Sequence, residues 1–371
     1  MSIRPTIATV DLGAIRHNLE VARRLVPGQA ICAVVKADAY GHGMNEVGLT
    51  LSRAGVEWLA VALVEEGISL RRVGVKTSIL VLGSALGGTL FELVAHNLTA
   101  AIYRPDQLEA LAMAARGKPV AFHLKIDTGM ARLGVRLEEL DQVLDALDKT
   151  PNLVLDGVLT HFADADLADR DFNSAQLRLF EGACRRLQAR GYKPKWQHIA
   201  NSAAVLSFPE AQVGLLRPGL MIYGLDPLAK RRATELVPAM RWTTRPVHLK
   251  TVPQGARISY GGRFVTKRDS RIATLPVGYA DGYPRAMSGK AQVLVRGRLV
   301  PVVGTICMDL CMADVTDVPE VSLDDEVVLM GRQEGAEVSA YDLATWADTI
   351  PYEIICGVGA RVPRYYVDSE P

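Results

Sequence analysis

Between residues 30 and 216 short apolar runs alternate with stretches of helical periodicity, and this alternation limits the fold more than any other property of the chain. The runs are Ile31–Val35, Glu57–Ala62, Ser78–Gly83, Leu98–Tyr103, Ala121–Ile126, Leu153–His161, Trp196–Ala200 and Val213–Leu216. Each has the length of a parallel strand covered on both faces. The helical stretches between them carry one apolar stripe each: Ile15, Leu19, Ala22 and Leu25, with Asp11 as a cap; Leu137, Leu140, Leu144 and Leu147; Leu177, Phe180, Cys184 and Leu187. About eight strand–helix units in roughly 230 residues is the rhythm of a (β/α)8 barrel. An open doubly wound sheet would alternate too, but no Gly-x-Gly-x-x-Gly follows the first run and no P-loop occurs. A barrel is therefore expected over residues 11–238.

In a barrel of this kind the functional rim lies at the C-terminal ends of the strands. The polar residues at those ends are Lys36, Lys125 with Asp127, His161, Asn201 with Ser202, and Arg217. Singly each reads as surface decoration or a strand-end cap. Together they outline a pocket for something anionic and partly planar. Lys36 opens a turn, Lys36-Ala37-Asp38-Ala39-Tyr40-Gly41-His42-Gly43, in which two glycines permit positive φ and close backbone approach. A lysine there is either a surface charge on a flexible stem or a site lysine at the barrel mouth.

The alternation stops near Asp226-Pro227, and Lys230-Arg231-Arg232 with Pro238 reads as a polar connection. Beyond it the period drops to two. Ala291–Val295 and Leu299–Val303 around Arg296-Gly297-Arg298 form a hairpin signal, and Ile272–Val277, Ala313–Val315 and Glu326–Met330 are further strands. One helix is expected after Ser339, capped with Asp342 and barred by Pro351. Residues 239–371, joined by a strand from residues 1–10, thus form a β-rich second domain. Tyrosines sit in its turns, and Tyr260, between Ser259 and two glycines, stands out.

A net charge of +1 gives no footprint for nucleic acid or an acidic membrane, and five scattered cysteines do not form a disulfide framework. Cys307 and Cys311 lack a second ligand pair at zinc-site spacing, so no metal is expected. The first residues show no secretory pattern and no run is long enough for a bilayer, which points to the cytoplasm.

These motifs resemble those of the alanine racemase family over nearly the whole chain. Ala33–Gly43 is similar to its pyridoxal 5′-phosphate lysine signature. Lys125-Ile126-Asp127-Thr128-Gly129-Met130-Ala131-Arg132-Leu133-Gly134 resembles a second block, and Thr160–Ala163, His198–Ser202 and Arg217–Gly224 resemble the remaining barrel blocks. The resemblance implies that Lys36 carries the cofactor and that Lys125 is a candidate for carbamylation, orienting Arg132 toward the substrate carboxylate. It implies that Tyr40, Ser202, Gly219 and Tyr352 hold the phosphate, that Arg217 faces the pyridine nitrogen, and that His161, Asn201 and Leu220 complete the cofactor site. In the second domain it makes Tyr260 a catalytic tyrosine, places Tyr279 in the segment Gly278–Tyr283 lining the entrance, and sets Met308 and Asp309 at the substrate carboxylate. It further implies a head-to-tail homodimer with shared sites, and pairing of Thr6–Val10 with the C-terminal domain.

Inverting an amino-acid Cα requires a proton to leave one face and return on the other, most simply through two bases. Lys36 would serve the D face and Tyr260, from the other subunit, the L face, supplying D-alanine for peptidoglycan. A phenol acts as a base near neutrality only with cationic or hydrogen-bonding help, for which His161 and Arg217 are candidates. A guanidinium keeps its protons, so Arg217 would leave the pyridine nitrogen an acceptor. The rival readings are a broader racemase acting on residues such as serine, a barrel decarboxylase using the same cofactor, and a cofactor-binding protein without turnover.

Overall fold

The computed structural model describes residues 4–83, 85, 88–167, 169–228 and 235–369. Lys230-Arg231-Arg232 and the opening Met1-Ser2-Ile3 lie outside the described residues. The chain divides into two units. One runs from Ile15 to Ala39 and from Met44 to Val237; the other takes the N-terminal stretch through Ala14, the segment Tyr40–Gly43 and the chain from Pro238 onward.

In chain order, the N-terminal strand β1 (Ile7–Asp11) precedes the strands of the first unit. These are β2 (Ala30–Val34), β3 (Trp58–Val61), β4 (Ser78–Val81), β5 (Thr99–Ile102), β6 (Val120–Lys125), β7 (Leu153–Leu159), β8 (Trp196–His198) and β9 (Leu215–Leu216). They pair in parallel in the order β8-β7-β6-β5-β4-β3-β2-β9, as the alternating pattern predicts. A parallel bridge between Asn201 and Arg217 carries the ring from β8 to β9, so two candidate site residues also close the barrel. Apolar strand side chains such as Ile31, Leu59, Leu80, Ile102, Phe122, Leu124 and Val158 are almost wholly buried.

All three helical stripes differ in part from the expected ones. Leu137 is half-buried in the 3-10 turn Leu137–Glu139, ahead of the helix Leu140–Asp148 that carries Leu140, Leu144 and Leu147. In Leu12–Leu25 the inward face ends on Ala22 and passes to Val26, leaving Leu25 exposed. In Asp171–Ala189 the buried face is Asn173, Gln176, Phe180, Ala183 and Leu187, while Leu177 and Cys184 are half-buried. Two amides were the unexpected members of that face. Gln176 is satisfied at both ends, its Nε2 donating to His161 O at 3.0 Å and Thr128 Oγ1 at 3.2 Å and its Oε1 accepting from Ala163 N at 3.0 Å. Asn173 Nδ2 donates to Asp164 O at 2.9 Å, but its buried Oδ1 has no partner among the described residues.

The second unit is mostly β. Its strands are β10 (Met240–Thr244), β11 (His248–Val252), β12 (Arg257–Ile258), β13 (Phe264–Val265), β14 (Ser270–Leu275), β15 (Gln292–Val295), β16 (Arg298–Val303), β17 (Cys311–Asp314), β18 (Val327–Gln333), β19 (Ala336–Val338) and β20 (Arg364–Val367). The main sheet runs β11-β14-β17-β16-β15-β18-β10-β1-β20, with β19 on β18, and β12–β13 forms a separate ribbon. The N-terminal strand β1 lies antiparallel to β10 and parallel to β20. The β15–β16 hairpin turns through Arg296 (φ 48°) and Gly297 (φ 68°), both left-handed as a two-residue hairpin requires.

Ser339 caps Ala340–Ala347, accepting from Asp342 N at 3.2 Å while Asp342 Oδ2 accepts from Ser339 N at 2.8 Å. That helix ends on the left-handed Asp348 (φ 59°), ahead of Pro351, the residue expected to bar it. Pro351 is the first residue of another, Pro351–Gly357, a position where its missing N–H costs nothing. Among the described residues, no helix is long and apolar enough to cross a membrane.

Candidate active site

Lys36 follows β2 at the mouth of the barrel and begins an unusual backbone. Ala37, Asp38, Ala39 and Tyr40 have φ of 52, 52, 53 and 53°, one left-handed turn built without glycine. Such a conformation costs roughly 1–2 kcal/mol per residue, so its neighbours must hold it. Ala37 N donates to Glu66 Oε1 at 2.7 Å, Asp38 Oδ1 takes Met44 N at 2.8 Å, and Ala39 N reaches Val35 O at 2.9 Å. Tyr223 Oη, buried, donates to Val34 O at 2.9 Å just before the lysine.

The rest of the rim is buried and cationic. Lys125, the last residue of β6, is pushed down to about 8 by burial, then by the charges of Arg217, Arg132 and Lys36, with Asp127 opposing. His161 is held well below its ordinary value by burial and then by Arg217, Arg132, Lys125 and Lys36, so it is neutral. These shifts bring Lys36, Lys125, Arg132, His161 and Arg217 into one field. Arg132 sits exposed on a loop whose turn Asp127 makes, accepting from Gly129 N at 2.9 Å and Ala131 N at 3.1 Å.

Arg217 is almost fully buried, and that burial lowers it to about 10. Its terminal nitrogens reach four acceptors: Nη1 reaches His198 Nδ1 at 2.9 Å, and Nη2 reaches Thr160 O at 2.5 Å, Ile199 O at 3.2 Å and His161 Nδ1 at 3.3 Å. Nearby, Ser202 Oγ accepts from Gly219 N at 2.8 Å and Met221 N at 3.4 Å, while Asn201 Oδ1 caps Ala204 N at 3.0 Å. A hydroxyl and two backbone N–H groups thus converge beside the cations. The Leu220 side chain is buried in the core, so its backbone alone can face a ligand.

The other predicted residues belong to the second unit. Tyr40 and Tyr352 pack with ring centroids 6.1 Å apart, and burial, then Tyr352 and Cys356, raises the Tyr40 phenol. A Cβ on Gly41 would stand 2.2 Å from Ile355 O, and Arg364 donates to Gly41 O from Nε and Nη2, both at 3.1 Å. Tyr260 is 73% exposed, yet its backbone is pinned: Thr305 Oγ1 donates to Tyr260 O at 2.9 Å and Ser259 Oγ to Thr305 O at 2.6 Å. Ser259 pays for the turn with φ 62°.

Tyr279 and Met308 are also exposed. Their segments are tied by Tyr279 N to Cys307 O at 3.1 Å and Ala280 N to Met308 O at 3.0 Å. Asp309 accepts from Arg361 at 2.8 Å; Asp281, wholly buried, pairs with Arg4 at 2.5 Å and stands 3.5 Å from Arg361. Tyr283 does not line anything open: it is fully buried, edge-on to Trp242 at 5.7 Å. Among the described residues, no group of three His, Cys, Asp or Glu is placed to hold a metal ion.

Comparison with known proteins decides the family. Residues 10–227 match the profile of the alanine racemase N-terminal domain and residues 239–366 that of its C-terminal domain. The alanine racemase of Symbiobacterium thermophilum is 43% identical over 367 residues, covering 98% of this chain and 97% of that protein. The chain belongs to the alanine racemase family. Solved structures of the family agree closely with the fold. The alanine racemase of the D-cycloserine producer Streptomyces lavendulae superimposes with a TM-score of 0.94 at 34% identity, covering 100% of this chain and 98% of that one. That of Bacillus anthracis, solved with bound L-Ala-P, gives 0.93 at 35% identity, with 100% and 97% covered.

Several supporting residues of this alanine racemase family member escape a reading of the rim alone. Glu66 holds the turn after Lys36, Gln176 holds the carbonyl of His161, and Arg361 with Asp281 and Arg4 holds Asp309. His123 had a signal: in Val120–Lys125 it shares the period-two face of Lys125. Gln176 had none, because a buried amide on a helix reads as its solvent side.

Proposed function

We propose that this protein is an alanine racemase, an isomerase that interconverts L- and D-alanine with pyridoxal 5′-phosphate. The observation that carries the reading is Lys36 at a barrel mouth among Lys125, Arg132 and Arg217, a cationic field opposed at Lys125 by Asp127. A bound dianion offsets that charge, and the Ser202 hydroxyl, its oxygen already accepting from the N–H groups of Gly219 and Met221, keeps its proton to donate to the phosphate. When bound, the cofactor supplies an electron sink for the charge left on Cα. Lys36 carries it, Arg217 faces its ring nitrogen as a donor, and Tyr40, His161, Asn201, Leu220 (through its backbone) and Tyr352 complete its surroundings.

The chain's own residues then move one proton. Lys36 Nζ takes or returns it on the D face of Cα, and Tyr260 Oη does so on the L face. His161, neutral and hydrogen-bonded to Arg217, is suited to steady that phenol without adding a charge. Arg132 receives the substrate carboxylate, with Met308, Asp309 and Tyr279 about the substrate. Lys125, at about 8, offers an uncharged amine fraction near neutrality. Attack of that amine on carbon dioxide forms a carbamate and releases a proton, converting a cation that repels Arg132 into an anion that holds it.

The exposed Tyr260, Tyr279, Met308 and Leu310 suit cover by a second copy, so that Tyr260 serves the partner's Lys36 in a homodimer. On this reading residues 11–238 are the cofactor domain and residues 239–371, with strand 1–10, the partner-serving domain. The enzyme works in the cytoplasm, and its product supplies D-alanine for peptidoglycan. Purified protein is expected to absorb in the visible and to racemise L-alanine, and Lys36→Ala to lose both. A variant that kept the visible band would overturn the assignment of Lys36.

A further inference from the structure

Behind Arg217 two buried histidines form a line that the proposed chemistry does not use. Arg217 Nη1 lies 2.9 Å from His198 Nδ1, His198 Nε2 lies 2.9 Å from His123 Nδ1, and His123 Nε2 lies 3.8 Å from Asp156 Oδ2. Guanidinium has donors and no acceptor, so His198 Nδ1 must be the unprotonated nitrogen. Its proton then resides on Nε2 and is donated to His123 Nδ1, which places the His123 proton on Nε2, facing Asp156. One direction of donation runs from the site outward. Both rings are neutral: burial, first among the causes, lowers His198 well below its ordinary value and lowers His123 as well.

The barrel is altered locally to admit this line. The β6–β7 pairing shifts register here: Phe122 pairs with Leu155 but His123 with Gly157, so Asp156 is the extra residue of a bulge in β7. Opposite His123, a Cβ on Gly157 would stand 2.6 Å from the imidazole, so only glycine leaves room on β7. Trp58 packs against His123 at 5.1 Å, and His198 meets it edge-on at 4.9 Å. The price is one buried N–H: His123 Nε2 has no hydrogen-bond partner, Asp156 being just beyond reach.

We infer that His123 and Asp156 are positioning residues for Arg217: they fix the tautomer of His198, and so keep an acceptor turned to the guanidinium that faces the cofactor. Were His198 to carry its proton on Nδ1, two donors would meet and Arg217 would be displaced from its place. The inference rests on the racemase reading for the role of Arg217, but the tautomer itself does not depend on the cofactor.

The test uses the holoenzyme, with histidine labelled at both ring nitrogens, and the variants His123→Leu, His123→Asn and Asp156→Asn. Nitrogen chemical shifts are expected to report His198 protonated on Nε2 in the wild type. His123→Leu removes the acceptor: the His198 pattern changes, the visible band moves, and kcat falls about tenfold, the scale of losing a partner that orients a ligating histidine, with KM little changed. His123→Asn, whose amide oxygen can accept from His198, restores the wild-type His198 shifts and most of kcat. If His123→Leu fails to fold, Asp156→Asn, at a partly exposed residue, carries the test through a shift of the His123 Nε2 signal. His198 shifts unchanged in His123→Leu, or His123 shifts unchanged in Asp156→Asn, overturn the inference. A wild type without a visible band refutes the cofactor reading instead, while the histidine signals still judge the line.

Discussion

The barrel rim and the tyrosine-bearing surface of the second unit are built on opposite plans. At the rim Arg217 and Ser202 are buried and held by hydrogen bonds within the protein: Arg217 by His198, His161 and two carbonyls, Ser202 by two N–H groups. On the other surface the backbone is tied down at Ser259–Tyr260 and Tyr279–Ala280, while the side chains of Tyr260, Tyr279 and Met308 stand in solvent. The first arrangement tunes charge by exclusion of water. The second holds side chains ready and leaves them uncovered. On the proposed reading, the rim is complete in its electrostatics and takes its second base from that other surface.

That contrast predicts which substitutions cost function and which cost the fold. The largest effect is expected from Tyr260→Phe. Loss of one acid–base group lowers the rate about 10²–10⁴-fold, selectively for proton abstraction from L-alanine, while stability stays within about 0.5 kcal/mol. Exchange of the Cα proton of each enantiomer into deuterated water, measured beside thermal unfolding, separates the two; equal losses for L- and D-alanine would break the division of faces.

The reverse is expected at Gln176→Leu. Thr128, the carbonyl of His161 and the N–H of Ala163 lose their shared partner, at a cost of about 1–3 kcal/mol by denaturant unfolding. An unchanged midpoint would mean that the loop after β7 does not need this amide.

The smallest effect is a pH dependence at Lys125, whose ordinary value of 10.5 is lowered to about 8. Between those values the unfolded chain binds a proton that the native lysine has released, so the stability difference between wild type and Lys125→Met moves in favour of the wild type as pH rises through the window. Below about 8 the penalty of holding the charged amine is fully present. Unfolding of both proteins with carbon dioxide excluded should show that difference narrowing; a flat difference would place the amine in water.

The two plans also explain what could be read from residue order. The barrel is legible because eight apolar runs and their spacing repeat one packing solution. Its rim is legible because the fold puts strand ends together. What stays hidden depends on long-range satisfaction: Asn173 and Gln176 look like a solvent face until their carbonyl partners are in place, and Tyr283 looks like a turn tyrosine until Trp242 covers it. The left-handed turn Ala37–Tyr40 contradicts local preference, because Ala and Tyr do not favour that region and even Asp visits it only as a single residue. Its supports, Glu66 and Met44, lie outside the turn, and local rules fail beside the lysine proposed to carry the cofactor.

The central claim is that one copy supplies Lys36 and another supplies Tyr260 to each working site. Mixing chains carrying Lys36→Ala with chains carrying Tyr260→Phe tests it directly. Half of a random population is mixed dimers, and each has one site with both bases, so activity should return to about a quarter of the wild-type value. If Lys36 and Tyr260 act within a single chain, no mixture contains an intact site, and activity stays at the level of the separate variants.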